Sequence, residues 1–352
     1  MGEAIVITSG KGGVGKTTAT LNIGAALALK GAHVMLVDTD IGLRNLDVVM
    51  GLEERIVYDL VDVVEGRCRL RQALVEDPRF FGRLHLLPAA QTRDKSVVTA
   101  QQMEALIGQI KPSVDYVLID CPAGIEQGFC NAVAGADSAI VVTMPEVSAV
   151  RDADRVIGLL RAYDLPAPRL IINRVRAGMV RRGDMMSTED MLEMLSVELL
   201  GVIPDEETVI RAGNLGQPVA RGNTPVSLAY RNIAARLLGD EVPVLSLHEQ
   251  RGGFLRRLLP RRYGMLRRNM GMLGRERTKD VARSRLGSVL REDRTNVSVR
   301  DLALMQLDVL AALSAYLEME RDQAHITVTR ERGGSGAVLT FTVPVRAVKR
   351  RR

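Results

Sequence analysis

The sequence contains no tryptophan, and only 3% of its 352 residues are aromatic. That scarcity argues against an aromatic-caged sugar site and against a platform on which nucleobases stack. Cysteine is equally sparse: Cys68, Cys121 and Cys130 are too few and too scattered for a disulfide framework or a zinc knuckle. No apolar run reaches the roughly eighteen residues that a membrane-crossing helix needs. The chain enters a strand-like segment at once, without the basic start, apolar stretch and cleavage site of a signal peptide. Together these absences predict a soluble protein of a reducing compartment.

What is present begins with length and an uneven charge. Forty-six per cent of the residues are apolar, enough for a sizeable core, and the length predicts two domains, one of them large. Lys and Arg number 48 against 42 Asp and Glu, yet Arg251–Arg294 alone carries fourteen basic and four acidic residues. The rest of the chain is therefore mildly acidic. One basic segment on an acidic body predicts an anionic surface or partner docked at that segment.

From residue 3 to about 240, short β-branched runs alternate with helix-length stretches. The runs are Ala4–Thr8, His33–Asp38, Leu84–Pro88, Asp115–Asp120, Ser138–Thr143, Arg169–Asn173 and Gly201–Pro204. Most are continuously apolar, as strands covered on both faces read. Between them, Thr17–Lys30 and Arg151–Ala162 repeat apolar residues at helical spacing. The alternation predicts an α/β fold, a mainly parallel sheet with helices on both faces. Past Leu245 the pattern changes to a basic linker, a helix over about 279–291 and a second over about 299–319. Two strand-like runs follow, His325–Arg330 and Ala337–Pro344, joined by a Gly-rich loop as in a hairpin. The predicted organisation is thus an α/β domain over 1–245, a basic segment over 246–277 and a small α+β module over 278–352.

The chemistry starts at Gly10-Lys11-Gly12-Gly13-Val14-Gly15-Lys16-Thr17-Thr18, directly after a strand and opening a helix. This fits G-x-x-x-x-G-K-[ST] in its required context, a P-loop. Its glycines let backbone N–H groups turn towards phosphates, and the helix N-terminus adds partial positive charge. Lys16 supplies a point charge for the β- and γ-phosphates of ATP, and the Thr17 hydroxyl a ligand for Mg²⁺. Asp38 and Asp40 end the second long strand and Asp120 ends the fourth, which turns these carboxylates to the ligand crevice of a parallel sheet. Asp120 suits the acid beside the metal, and a second polar group is needed to orient attacking water. Cys121 reads as a small buried strand-end residue, not as half of a bridging iron–sulfur site.

The P-loop string, with its additional Lys11, resembles the deviant Walker A or MinD/ParA family of P-loop NTPases. Asp40–Asp47, Pro88–Lys95, Pro122–Glu126, Pro145–Asp152 and Arg182–Met185 are similar to its MinD branch, and the resemblance runs from residue 3 to about 263. Asp280–Arg294 and Asp301–Val345 resemble the MinE family, so the chain reads as a fusion of the two. The resemblance implies an ATPase that dimerises on ATP, with Lys11 reaching the partner's phosphates. It implies that Asp40 positions the water with Asp38 nearer the metal, and that Asn173, Arg174, Pro204 and Asp205 surround the adenine. It further implies a MinC-type division inhibitor as partner, and a cytoplasmic protein peripheral on the inner face of the cell membrane. Arg285, Leu286 and Val289 would meet the ATPase dimer and stimulate hydrolysis. One departure is Met265–Gly274, rich in Arg and Gly where MinE proteins usually carry an apolar anchor of their own.

Gly253–Leu259 places Phe254, Leu255, Leu258 and Leu259 on one helical face with Arg256 and Arg257 around the other. That is the pattern of a helix lying in a membrane interface over anionic headgroups. Two such short helices in one dimer would bind by avidity. The alternative is a ParA-type ATPase whose basic segment rests on DNA. Phosphate binding has no use for the Phe/Leu face, which favours lipid over nucleic acid.

Overall fold

The computed structural model describes residues 2–91, 93 and 97–245. In the C-terminal part it describes 283, 286, 305, 308–310, 312–314, 316–319, 324–330 and 337–348. Two compact units divide between Asp280 and Val281. In the first unit the strands are β1 (Glu3–Thr8), β2 (Val34–Asp38), β3 (Val75–Glu76), β4 (Leu84–Leu87), β5 (Tyr116–Asp120), β6 (Ser138–Thr143), β7 (Arg169–Val175) and β8 (Glu198–Pro204). They form one sheet in the order β3-β4-β2-β5-β1-β6-β7-β8. Every pairing is parallel except β3 with β4, at the edge. The two-residue β3 carries too little sequence to announce itself; the seven longer strands lie where their apolar runs predict.

The described residues of this unit also form eleven α-helices. They are α1 (Lys16–Leu29), α2 (Leu46–Met50), α3 (Leu60–Val64), α4 (Leu70–Ala73), α5 (Ala100–Ile110), α6 (Gln127–Ala134) and α7 (Val147–Ala162), then α8 (Ala177–Arg182), α9 (Thr188–Leu195), α10 (Glu207–Asn214) and α11 (Pro225–Leu237). Ile5 and Ile7 of β1 join one core with α1 and α11, while Ala4 and Val6 point to the opposite face. The expected one-sided periodicity of α1 is not what the fold uses. Ala19 to Ala28 are buried without a break, so the helix is covered all round, by the sheet and by α11. Its Gly24 permits this approach, since a Cβ there would stand 2.6 Å from Leu36 Cδ2 on β2.

In the second unit, the described strands are β9 (Leu317–Met319), β10 (His325–Arg330), β11 (Ala337–Thr342) and β12 (Val345–Val348). The hairpin of β10 and β11 forms as the sequence predicts, with His325 opposite Thr342. The long helix ends earlier than its leucine repeat predicts, because Leu317–Met319 is extended and pairs antiparallel with β12. β12 exists because Pro344, which has no N–H to offer a ladder, separates Val345–Val348 from β11.

Gly51 (φ +65°) and Gly216 (φ +61°) meet backbone to backbone. Arg79, paired with buried Asp77, donates to Met50 O at 2.6 Å and to Gly216 O at 2.5 Å, tying the two loops together. A Cβ on Gly216 would meet Gly51 Cα at 2.6 Å. Gly216→Ala is therefore expected to destabilise the first unit by about 1–2 kcal/mol through its left-handed backbone, with overlap adding to that. Gly108→Ala, in α5 with open space around it, should leave the denaturant midpoint unchanged or raise it. Equal midpoints for Gly216→Ala and wild type would show that the loop contact is dispensable.

Candidate nucleotide site

The C-terminal ends of the parallel strands gather the predicted residues. β1 runs into the P-loop, which ends at Gly15 (φ +98°), the residue before α1. Helices α5, α9 and α11 all begin on a side-chain cap, from Thr99, Ser187 and Thr224. α1 has no side-chain cap and no acid in its first turn. Its first N–H groups and its dipole are thus left to an anion. Gly10 is required by crowding, because a Cβ would collide with the Asp152 backbone; Gly13 (φ +77°) has open space beside it. Gly12 lies near Ala123, at 3.8 Å from where its Cβ would be. Val14 is buried, and its carbonyl accepts from Asn173 Nδ2 at 2.7 Å.

Lys16 is 8% exposed, and its Nζ donates to Ser9 Oγ at 3.0 Å. Asp38 and Asp120 stand side by side as register partners on β2 and β5, both buried. Burial is the main cause that raises both carboxyls, Asp38 to about 6 and Asp120 to about 7, and each is raised further by a neighbouring acid. Backbone N–H groups of Asp40 and Leu46 donate to Asp38 at 2.9 and 3.2 Å, and Thr20 donates to Asp120 at 3.0 Å. Thr17 also hydrogen-bonds Asp120, and the Lys16 charge opposes the upward shift. Two crowded carboxyls beside a threonine hydroxyl make an all-oxygen donor set that fits Mg²⁺. Among the described residues no three His, Cys, Asp or Glu side chains form a metal cage. A cation here would complete its shell with phosphate oxygens and water, as Mg²⁺ in nucleotide sites does.

Beside this cluster lies a cavity of about 510 Å³, a size that suits a nucleoside. Gly15 and Thr18 line its phosphate end, and Asn173, Arg174, Pro204 and Asp205 line it from β7 and β8. Asn173 braces the loop through Val14 and accepts from Arg174 N at 2.9 Å. Arg174 holds a left-handed backbone (φ +55°), an uncommon conformation for a residue with a Cβ. Sequence reasoning gave no site role to eleven further lining residues, and three of them are Arg176, Met179 and Tyr230. Arg176 Nε pairs with Asp205 Oδ2 at 2.6 Å across the two strand ends. None of the three sits in a recognisable motif.

Lys11 does not line the cavity. Its Nζ lies 3.3 Å from Glu146 Oε2 and 3.1 Å from Ser148 Oγ, and the side chain is 38% exposed. Asp40 follows β2 at the rim, half-buried. Cys121 is buried and its thiol is pushed up to about 12 by that burial, as suits a packed strand-end residue. Leu286 is helical and fully buried in this structure. Phe254, Leu255, Leu258, Leu259, Arg285 and Val289 lie outside the described residues. No helix among the described residues is long and apolar enough to cross a membrane.

Comparison with known proteins agrees with this geometry. Residues 5–219 match the model of the CobQ/CobB/MinD/ParA nucleotide binding domain. Residues 266–345 match the model of the septum formation topological specificity factor MinE. The septum site-determining protein MinD of Bacillus subtilis is 58% identical over 260 residues, covering 73% of this chain and 97% of that protein. Among solved structures, the MinD of an Aquifex aeolicus MinC:MinD complex is 48% identical, with a TM-score of 0.65 over 69% of this chain and 99% of its own. MinD of Pyrococcus horikoshii, solved with Mg-ADP, is 30% identical, with a TM-score of 0.62 over 67% of this chain and 96% of its own. The chain belongs to the MinD family of P-loop ATPases that act in septum-site determination, and it carries a MinE domain in the same polypeptide.

Proposed function

We propose that this chain is a nucleotide-gated membrane switch with its own activator attached. The observation that carries the reading is the convergence of Lys16, Thr17, Asp38 and Asp120 on the uncapped start of α1, beside a nucleoside-sized cavity. Lys16 and the loop N–H groups hold the phosphates of ATP, and Thr17, Asp120 and Asp38 hold Mg²⁺, directly or through water. When bound, Mg²⁺ neutralises charge on the β- and γ-phosphates. Asp40 orients the attacking water. Lys11 leaves Glu146 and Ser148 to reach the partner's phosphates when two copies close on ATP. The solved Mg-ADP complex of a relative supports the ligand pair.

Closing the dimer brings two copies of the Phe254–Leu259 segment together, and each apolar face enters an anionic bilayer. Two weak sites then act as one strong one. The chain would accordingly work on the inner face of the cell membrane, with domains at 1–245, 246–277 and 278–352. Arg285, Leu286 and Val289 engage the ATPase dimer and stimulate hydrolysis, after which the chain leaves the membrane. From Pro260 to Lys279 the linker reaches at most about 60–70 Å. That span makes activation in cis feasible. A MinC-type inhibitor is the further partner, supported by the solved MinC:MinD complex. Specific binding of nucleic acid is not part of the reading, and co-sedimentation with anionic liposomes against DNA retardation, with and without ATP, decides between them.

Three measurements test the roles. Lys16→Ala should weaken nucleotide binding at least about a hundredfold, since it removes a charge-assisted contact and disturbs the cradle. Lys11→Ala should keep binding but lose the dimer and hydrolysis. If Lys16→Ala binds ATP like wild type, the phosphate assignment fails. Asp40→Ala should keep ATP bound and the protein on liposomes, with little phosphate released. Normal phosphate release would place the water elsewhere. Arg285→Glu should lower the ATPase rate on anionic liposomes to a basal level and spare ATP-dependent liposome binding. Because Leu286 is buried, Leu286→Ala is read only beside Arg285→Glu and a melting curve. An unchanged rate with Arg285→Glu would show that this helix is not the activator.

A further inference from the structure

Tyr230 is among the largest fully buried side chains of the first unit, 1% exposed, on the inner face of α11. A tyrosine used only as core filling would either find its hydroxyl a partner or be replaceable by phenylalanine at no loss. Among the described residues the hydroxyl has no hydrogen-bond partner. Nor is it one of the polar atoms that the described residues seal off from free space. An unpaired hydroxyl that is not sealed must open onto free space. The space beside it is the 510 Å³ cavity, which Tyr230 lines together with Gly15, Thr18 and Arg174.

The wall that carries Tyr230 is firmly held. Glu206 Oε1 accepts from Val226 N at 3.2 Å in the first turn of α11 and its Oε2 from Thr208 Oγ1 at 3.0 Å. Thr224 caps the same turn. Further along, Tyr116 donates to Leu237 O at 2.9 Å. Burial raises the Tyr230 phenol well above its ordinary value, so it stays a neutral group able both to donate and to accept.

We propose that the Tyr230 hydroxyl is a nucleotide-positioning group, hydrogen-bonded to a ribose hydroxyl or to the 6-amino group of the base when the cavity is filled. The inference rests on the cavity being the nucleoside site. It gives the hydroxyl a partner that the described residues do not supply. It also gives α11, the last helix before the basic linker, a direct contact with the ligand.

The test compares full-length wild type and Tyr230→Phe by calorimetric titration with Mg-ADP, which binds without turnover, and by melting without ligand. Deletion of one neutral hydrogen bond should weaken ADP about three- to tenfold. The melting midpoint of the ligand-free variant should be unchanged or higher, because only an unpartnered hydroxyl is lost. A structural role would instead lower that midpoint with no specific loss of affinity. Titrations with 2′-deoxy-ADP, 3′-deoxy-ADP and purine riboside diphosphate then locate the contact. The analogue lacking the contacted group should bind wild type and variant equally, and the others should retain the difference. Equal ADP affinity for Tyr230→Phe and wild type overturns the inference while leaving the nucleotide site intact. An equal loss across all four ligands overturns it as well, since the hydroxyl would then act away from the nucleoside groups probed. Failure of wild type to bind Mg-ADP at all overturns both the inference and the site.

Discussion

The ammonium of a lysine only 8% exposed is tolerable only where fixed partners replace its water, and Lys16 sets this requirement at the first residue of α1. One partner is Ser9, whose hydroxyl in turn donates to the Lys11 carbonyl, so the loop closes on its own lysine. Another is the field of Asp120, linked to the same helix through Thr17 and Thr20. The three attachments hold the start of α1 over the ends of β1, β2 and β5. All of them depend on α1 lying deep, covered on every side, with Gly24 close against Leu36. Stability in the body of the helix thus fixes the geometry at its tip.

The same burial leaves a conflict between Asp38 and Asp120. Two carboxyls on neighbouring strands, both buried and both raised, release their protons at higher pH than surface acids do. A fold selected for stability alone would place one apolar residue there. Strain of this kind gathers at functional sites, where a ligand relieves it. Arg174, with its left-handed backbone beside the nucleoside cavity, is a second instance in the same molecule.

How much of this was legible depended on whether a residue's task shows in its neighbours along the chain. The P-loop did, because glycines and Lys-Thr at fixed spacing after a strand have a single economical use. Asp38 and Asp120 did, because a parallel sheet presents strand ends to one crevice. The seven long strands followed from their apolar runs. By contrast, α1 is covered all round, so its burial gave no one-sided period to detect. β9 was hidden inside a leucine repeat, and its partner β12 only becomes a strand when the chain folds back past Pro344. Tyr230 lies far from the P-loop in sequence and sits in a helix whose pattern reads as core, which it also is. Its second role depends on the absence of a hydroxyl partner, a property that no sequence displays.

On the proposed function, joining the MinE domain to the MinD body alters which variable controls hydrolysis. For separate proteins the activator's occupancy follows its free concentration. On a linker of about twenty residues it follows an effective concentration of the order of millimolar, fixed by the chain. Expression level then has little leverage, and a permanently present activator would empty the membrane of ATP-bound dimers unless something else gates it. The covalent arrangement leaves two candidates for the gate, the nucleotide state and the conformation of the activator helix. Leu286, a proposed contact residue, is fully buried in this structure, so the activator helix would have to uncover it before meeting the dimer. Uncovering one leucine costs about 1.5–3 kcal/mol, or more than tenfold in population. A millimolar effective concentration can supply that much only if the intrinsic affinity for the closed dimer is well below millimolar. The gate therefore lies in the difference between the affinity for the closed ATP dimer and that for the open monomer. On this proposal the difference is set at the ends of β1, β2 and β5, where Lys16 and the two carboxyls would meet the nucleotide.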